Sequence, residues 1–126
     1  MIDSITFDAL HAATLARFWC EALPDYEIAP YGADDIADLK ARGIDDVEDD
    51  PNVMCVSEAG GPRLFFQKVP EGRTAKTRVH IDVQLRDRAH FERLIELGAR
   101  VVREWDNHDG YWMTDPDGND FCALVS

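Results

Sequence analysis

His80 and Asp82 stand two residues apart in the stretch 77–85, Thr-Arg-Val-His-Ile-Asp-Val-Gln-Leu. The stretch alternates without a break. Val79, Ile81, Val83 and Leu85 fall on one side; Arg78, His80, Asp82 and Gln84 fall on the other. That is the period-two pattern of a β-strand with two unlike faces. A solvent-facing strand would carry Lys, Thr or Glu, so a His-x-Asp pair marks a cavity lining. An imidazole titrates near neutral pH and serves as general base or acid, and a neighbouring carboxylate can orient it. Asp82 is equally suited to contact a ligand or to bond backbone at a helix. The plainer reading of His80 is a ring satisfied by a hydroxyl or carboxylate on the next strand.

Other side chains are candidates for the same cavity. Gln67 shares a strand face with Phe65 and Val69. Its amide either fixes a ligand or stands at the rim. Trp105, Tyr111 and Trp112 gather around a hairpin, where rings either wall a pocket and stack on a flat ligand or pack between helix and sheet. Cys122 alternates with Phe121 and Ala123, which puts it on the cavity side. There it is a small filler, or a thiol that His80 approaches in space. His11, His90 and His108 fall at a helix start, on a polar helix face and in a hairpin, where exposed, inert rings are expected. No phosphate loop or G-x-S-x-G elbow is present.

Composition sets the bounds. A chain of 126 residues with 45% hydrophobic content suits one domain with its own core. No apolar run approaches the ~20 residues a membrane helix needs. The opening Met1-Ile2-Asp3-Ser4 has neither the basic nor the apolar region of a signal peptide. Cys20, Cys55 and Cys122 are odd in number, far apart and without a CxxC. Reduced thiols in a cytoplasmic protein are expected, and no structural zinc site. A net charge of −12 disfavours nucleic acid as a partner, because phosphate would be repelled. The acidity serves solubility, or attracts cationic ligands.

The elements that must position these residues follow from periodicity and turns. Strands are expected over 2–9, 26–31, 52–59, 62–69, 77–85, 100–105, 111–114 and 121–125. A helix over 12–22 carries Leu15, Phe18, Trp19 and Ala22 on one face. A second, over 88–97, is capped by Asp87 and carries Phe91, Leu94, Ile95 and Gly98. The stretch 32–51 is rich in Asp and poor in apolar periodicity; it reads as a long surface excursion with a helical turn over 34–41. The order is β-α-β-β-β twice, module one about 1–72 and module two about 76–126. The helix faces match, and Gly60-Gly61 and Asp109-Gly110 read as equivalent hairpins, which argues a duplicated unit. Each half has one helix for one sheet face. The uncovered faces must meet or curve around a cavity. The fold class is α+β.

Three segments carry a family resemblance: Leu15-Ala16-Arg17-Phe18-Trp19, Arg78-Val79-His80-Ile81-Asp82 and Asp115-Pro116-Asp117-Gly118-Asn119-Asp120-Phe121. Over nearly its whole length the chain resembles the vicinal oxygen chelate superfamily, in particular its single-domain glyoxalase-like members. The resemblance implies paired βαβββ modules curled around an open cavity. Its enzymes hold a divalent metal with side chains from the first, fourth, fifth and eighth strands. On the fifth strand His80 matches. Gln67 stands at or near the fourth-strand position, where Glu is common. Cys122 stands where metal-binding members carry Glu, and Ser4 where His or Gln is expected. The resemblance thus implies either no cofactor or one divalent ion on His80 and Gln67.

The expected cavity is lined by His80, Asp82, Gln67, Phe65, Trp112, Cys122 and Ser4 and takes a small organic molecule. One function is a lyase- or isomerase-type proton transfer by His80. The alternative is a binding protein similar to the superfamily's drug-sequestering members, which hold cationic antibiotics without metal between two chains. A homodimer is expected by that analogy. A third reading is an interaction domain with a vestigial cavity.

Overall fold

The computed structural model describes residues 1–125. The first half comprises β1 (Ser4–Ala9), α1 (Ala12–Ala22), β2 (Tyr26–Ile28), α2 (Ala33–Ala41), a 3-10 turn (Val47–Asp49), β3 (Asn52–Ser57) and β4 (Arg63–Lys68). The second comprises β5 (Ile81–Gln84), α3 (Arg88–Glu96), β6 (Arg100–Glu104), β7 (Gly110–Thr114) and β8 (Asp120–Leu124). Each half folds into its own four-stranded sheet, in the orders β1-β4-β3-β2 and β5-β8-β7-β6. The first strand of each pairs in parallel with the last, and the other pairings are antiparallel. The fold is the expected α+β pair of βαβββ units. Among the described residues, no helix is long and apolar enough to cross a membrane.

Both crossover helices cover the same side. The N-cap of α1 is His11, whose Nδ1 accepts from the Thr14 amide. That is a structural role, where an inert ring was expected. Leu15, Phe18, Trp19 and Ala22 are buried as their spacing predicts. Asp87 caps α3 by accepting from the His90 amide at 2.8 Å, and Phe91 and Leu94 are buried. Two positions on α3 depart from the periodicity. Ile95 is 39% exposed, whereas His90 is only 2% exposed. The reason is a neighbour that periodicity does not reveal. Glu21 of α1 lies beside α3, and its carbonyl accepts from His90 Nε2 at 2.8 Å. His90 Nδ1 in turn accepts from the Arg86 amide at 3.1 Å. These two bonds fix a neutral ring in one tautomer.

Two sequence expectations about loops are corrected. Gly60-Gly61 joins β3 to β4, whereas Asp109-Gly110 lies between β6 and β7. The counterpart of Gly60-Gly61 is therefore the Asp115–Asn119 turn. In the first module the counterpart of the β6–β7 hairpin is the acidic excursion. That excursion is folded. The helical turn expected over 34–41 is a helix, α2, with the Asp35 carboxylate accepting from the Gly32 amide at 2.8 Å and Leu39 buried. The Tyr31 hydroxyl donates to Asp50 at 2.6 Å, and Arg17 pairs with Glu48 at 2.7 Å.

The strand expected over 77–85 is shorter. Only Ile81–Gln84 is strand. Val79, expected on the core face, is 84% exposed. Alternation is realised only where a partner strand exists. The β5–β8 register runs from Ile81↔Phe121 to Gln84↔Leu124. Ahead of it β8 gives way to the Asp115–Asn119 turn, and the Thr77 amide bonds the Asp120 carboxylate at 3.0 Å instead of a ladder carbonyl.

The two modules share one core. Phe18 and Trp19 of α1 meet Phe121 of β8 with ring centroids 5.7 and 5.4 Å apart. Trp19 Nε1 donates to Asp115 Oδ2 at 3.1 Å, and the Leu10 amide donates to Asp117 at 2.8 Å. The Asp-Pro-Asp-Gly-Asn turn is thus a clasp between modules. Asp115 Oδ1 accepts from the Asp117 and Asn119 amides, and Oδ2 accepts from the Asn119 side chain as well as from Trp19.

Candidate functional site

Strand alternation sends Phe66, Val83, Phe121 and Ala123 toward the helices, where they are buried. Their neighbours Phe65, Gln67, Asp82 and Cys122, with Thr6 and Asp8 of β1, take the opposite, open face. Where β1 approaches β5 a cavity of ≈ 370 Å³ lies in the seam, and its walls include Phe7, Asp8, Gln67, Thr77, His80 and Asp120.

His80 stands at the last position before β5. Its Nδ1 lies 3.0 Å from Asp82 Oδ1, with both side chains about half exposed, 48% and 52%. A carboxylate accepts only, so Nδ1 carries a proton, and in the neutral form of the ring Nε2 offers a lone pair. Of the roles the sequence left open for Asp82, this contact matches the one beside the imidazole. Across the ladder Asp82 is in register with Cys122, and Cys122 with Trp112. Ligand atoms of His80, Asp82 and Cys122 all lie within 4.8 Å of one another. Burial pushes the Cys122 thiol above its ordinary range, and the Asp82 charge adds to this while Lys76 opposes it. A thiol so placed is protonated at neutral pH and is a poor nucleophile on its own.

Asp120 holds the approach to His80. It is 5% exposed. Its carboxylate accepts from Arg73 at 2.8 Å, from the Thr77 amide and hydroxyl at 3.0 Å each, and from Trp112 Nε1 at 2.9 Å. Burial opposes its ionisation, but these donors outweigh burial together and hold the carboxyl well below the usual range. Trp112 therefore serves as a hydrogen-bond donor to the cavity wall, and Lys76 sits 4.7 Å over its ring. Of the other aromatics, Tyr111 stacks on Phe91 at 4.7 Å, the helix–sheet packing alternative.

Of the expected residues, His80 and Gln67 line the cavity and Asp82 and Cys122 adjoin His80. Gln67 is tied down, since its Nε2 donates to Asp8 Oδ1 at 2.8 Å. Phe65 lies on the same face with Arg63 5.6 Å over its ring. Ser4 is in register with Arg63; Ser4, Phe65 and Trp112, all expected to line the cavity, are not among its lining residues. Sequence reasoning missed Asp8, Thr77 and Asp120. The signal for Asp120 was present: it is an acidic residue opening an apolar strand directly after a turn.

A sequence profile of the glyoxalase-like domain matches residues 4–124. The chain belongs to the glyoxalase-like domain family. Solved structures agree on the fold. A possible glyoxalase from Bacillus cereus superposes with a TM-score of 0.62 at 12% identity, covering 98% of this chain and 97% of that one. A fosfomycin resistance protein from Mesorhizobium loti gives 0.57 at 17%, covering 98% and 90%. A glyoxalase/bleomycin resistance protein from Albidiferax ferrireducens gives 0.55 at 18%, covering 100% and 98%. No curated protein matches in sequence.

How this glyoxalase-like domain would hold the superfamily's metal follows from strand register. Aligning the helix caps His11 and Asp87 makes Ser4 the counterpart of His80 and Thr6 that of Asp82. Thr6 pairs with Phe65, and Asp82 with Cys122. Phe65, rather than Gln67, is thus the first-module counterpart of Cys122. A four-strand site would draw on Ser4, Phe65, His80 and Cys122, and a phenyl ring offers an ion no donor. At these two positions the first module offers only the Ser4 hydroxyl. The second module does offer three donors, His80, Asp82 and Cys122, whose nitrogen, oxygen and sulfur set suits zinc rather than a harder ion and leaves one coordination position open. Such an ion would supply a Lewis acid beside the cavity.

Proposed function

We propose that this glyoxalase-like domain binds a small organic molecule in the seam cavity and that His80 moves a proton on it, in a lyase- or isomerase-type reaction. The observation that carries this reading is the His80–Asp82 contact at 3.0 Å on the wall of a ≈ 370 Å³ cavity. Asp82 holds Nδ1–H, so Nε2 accepts a proton from a carbon acid and the resulting imidazolium is stabilised where it forms. The tethered Gln67 amide and the Phe7 ring supply an orienting polar group and an apolar wall.

The test is hydrogen–deuterium exchange by NMR over a panel of carbonyl compounds with an acidic C–H beside the carbonyl. Exchange that falls by about 10²-fold or more in His80→Ala, with ligand-induced shifts of cavity residues retained, is the expected result. Asp82→Asn is expected to lose less. Exchange unchanged in His80→Ala sinks the proposal. Elemental analysis of both proteins after incubation with Mn, Fe, Ni and Zn runs beside it. Zinc kept only by the wild type would reassign His80 from base to ligand.

A second reading is sequestration of a cationic molecule without turnover. The carboxylates of Asp8 and Asp82 on the open face and a net charge of −12 favour it. It requires binding without exchange, weakening steeply as salt screens the charges.

A further inference from the structure

Cys20 of α1 and Cys55 of β3 are 35 positions apart in sequence, yet their sulfurs lie 3.0 Å apart in hydrogen-bond contact. The reason is packing: α1 covers the sheet, and both side chains point into that interface. The two thiols differ in access. Cys55 is fully buried, whereas Cys20 is only partly so and forms part of the wall of an open groove of ≈ 380 Å³ with Arg17, Glu21, Tyr26 and Arg93. That groove lies on the helix side, away from the open face that carries His80.

We propose that Cys20 and Cys55 form an oxidation site, a dithiol that a small hydroperoxide closes to a disulfide. The groove admits the peroxide to Cys20 and not to Cys55, which divides the roles. The Cys20 sulfur attacks one peroxide oxygen, the O–O bond breaks, and water or an alcohol leaves, giving a sulfenic acid. The Cys55 sulfur then attacks Cys20 Sγ, the S–O bond breaks, and the departing hydroxyl takes the Cys55 proton as water. Two thiols are oxidised and one peroxide is reduced. Closing the bond needs the sulfurs to move about 1 Å nearer, toward the ~2.05 Å of a disulfide. The direction of the Cys20 ionisation agrees with its part as the first nucleophile. The hydrogen bond to Cys55 pulls the Cys20 thiol below its ordinary range, although burial and the charges of Glu21 and Glu27 resist. The same contact and burial push Cys55 up. Cys122 belongs to the second module and faces the other side of its sheet, so it does not compete as the resolving thiol.

The disulfide would close the segment 20–55, which contains β2, α2 and the acidic excursion, and hold α1 against β3. The test treats the full, reduced chain with stoichiometric hydrogen peroxide and maps it by non-reducing digestion and mass spectrometry. A peptide joining Cys20 to Cys55, lighter by about 2 Da and restored by dithiothreitol, is the expected product. It should be accompanied by a rise in Tm of roughly 5–10 °C from the constrained unfolded chain. Cys55→Ser should leave a Cys20 sulfenic acid that dimedone traps, and Cys20→Ser should form no bridge within the chain. Three results each overturn the proposal: Cys20 and Cys55 both still alkylated after peroxide, Cys20 carried to sulfinic acid beside a free Cys55, or bridges only between chains.

Discussion

Asp120→Ala is expected to destabilise the protein by about 3 kcal/mol. The carboxylate is almost fully buried and satisfies Thr77 and Trp112 as well as Arg73. Removing it leaves the Thr77 amide and Trp112 Nε1 without an acceptor, at roughly 1–3 kcal/mol for each buried donor. Arg73 is about one-third exposed and can turn to water, which keeps the loss at the low end of the ~3–5 kcal/mol typical of a broken buried pair. Asp120→Asn keeps the shape and one acceptor and is expected to lose less than half as much. Urea unfolding of the three proteins checks this, and a loss below about 0.5 kcal/mol for alanine, the usual scatter of surface substitutions, would refute it. The pH dependence has a definite sign. The folded carboxyl titrates far below its unfolded value near 3.9. Its stabilisation is therefore complete above about pH 4 and is lost as pH falls through the folded value. The gap between wild type and Asp120→Ala should narrow in acid. Asp115 acts in the opposite sense. Burial raises its carboxyl despite its hydrogen bonds, so its contribution is favourable in acid and declines as pH rises through the folded value.

Trp19→Ala is expected to cost more, about 4–5 kcal/mol, against a total of ~5–15 for a domain of this kind. The indole is 1% exposed and contacts the rings of Phe7, Phe18 and Phe121 at 5.2, 5.5 and 5.4 Å. Deleting it opens a cavity between the modules and removes one donor from buried Asp115. Trp19→Phe loses that hydrogen bond but keeps most of the packing, so about 1–2 kcal/mol is expected. Chemical denaturation separates the two effects. Similar losses in both variants would mean that the hydrogen bond, and not the packing, dominates.

Much of this architecture was legible in the chain. Leu15, Phe18 and Trp19 mark a helix face, the alternation around His80 and Asp82 marks a two-faced strand, and the Asp-Pro-Asp-Gly-Asn turn gives the register of the last strand. What could not be read depends on contacts between segments distant in sequence. Periodicity placed Val79 in a strand because it cannot tell where β8 ends. It placed His90 on a solvent face because the carbonyl that satisfies it belongs to Glu21. The Cys20–Cys55 contact was hidden for the same reason, since spacing alone shows two unrelated thiols. Within the site, the His80–Asp82 contact was among the alternatives the chain offered because the two residues are only two positions apart. That Phe65 rather than Gln67 is the counterpart of Cys122 required the pairing of β1 with β4.

The two sheets each close their own hydrogen-bond ladder, and neither ladder continues across the seam from β1 to β5. The spacing of the two sheets at the cavity therefore rests on side-chain packing between modules, Trp19 against Phe121 and the clasp of the Asp115–Asn119 turn, rather than on shared strand pairing. Substitutions in that packing are expected to alter which molecules fit without breaking any strand pairing, while His80 and Asp82, both in the second module, stay in contact.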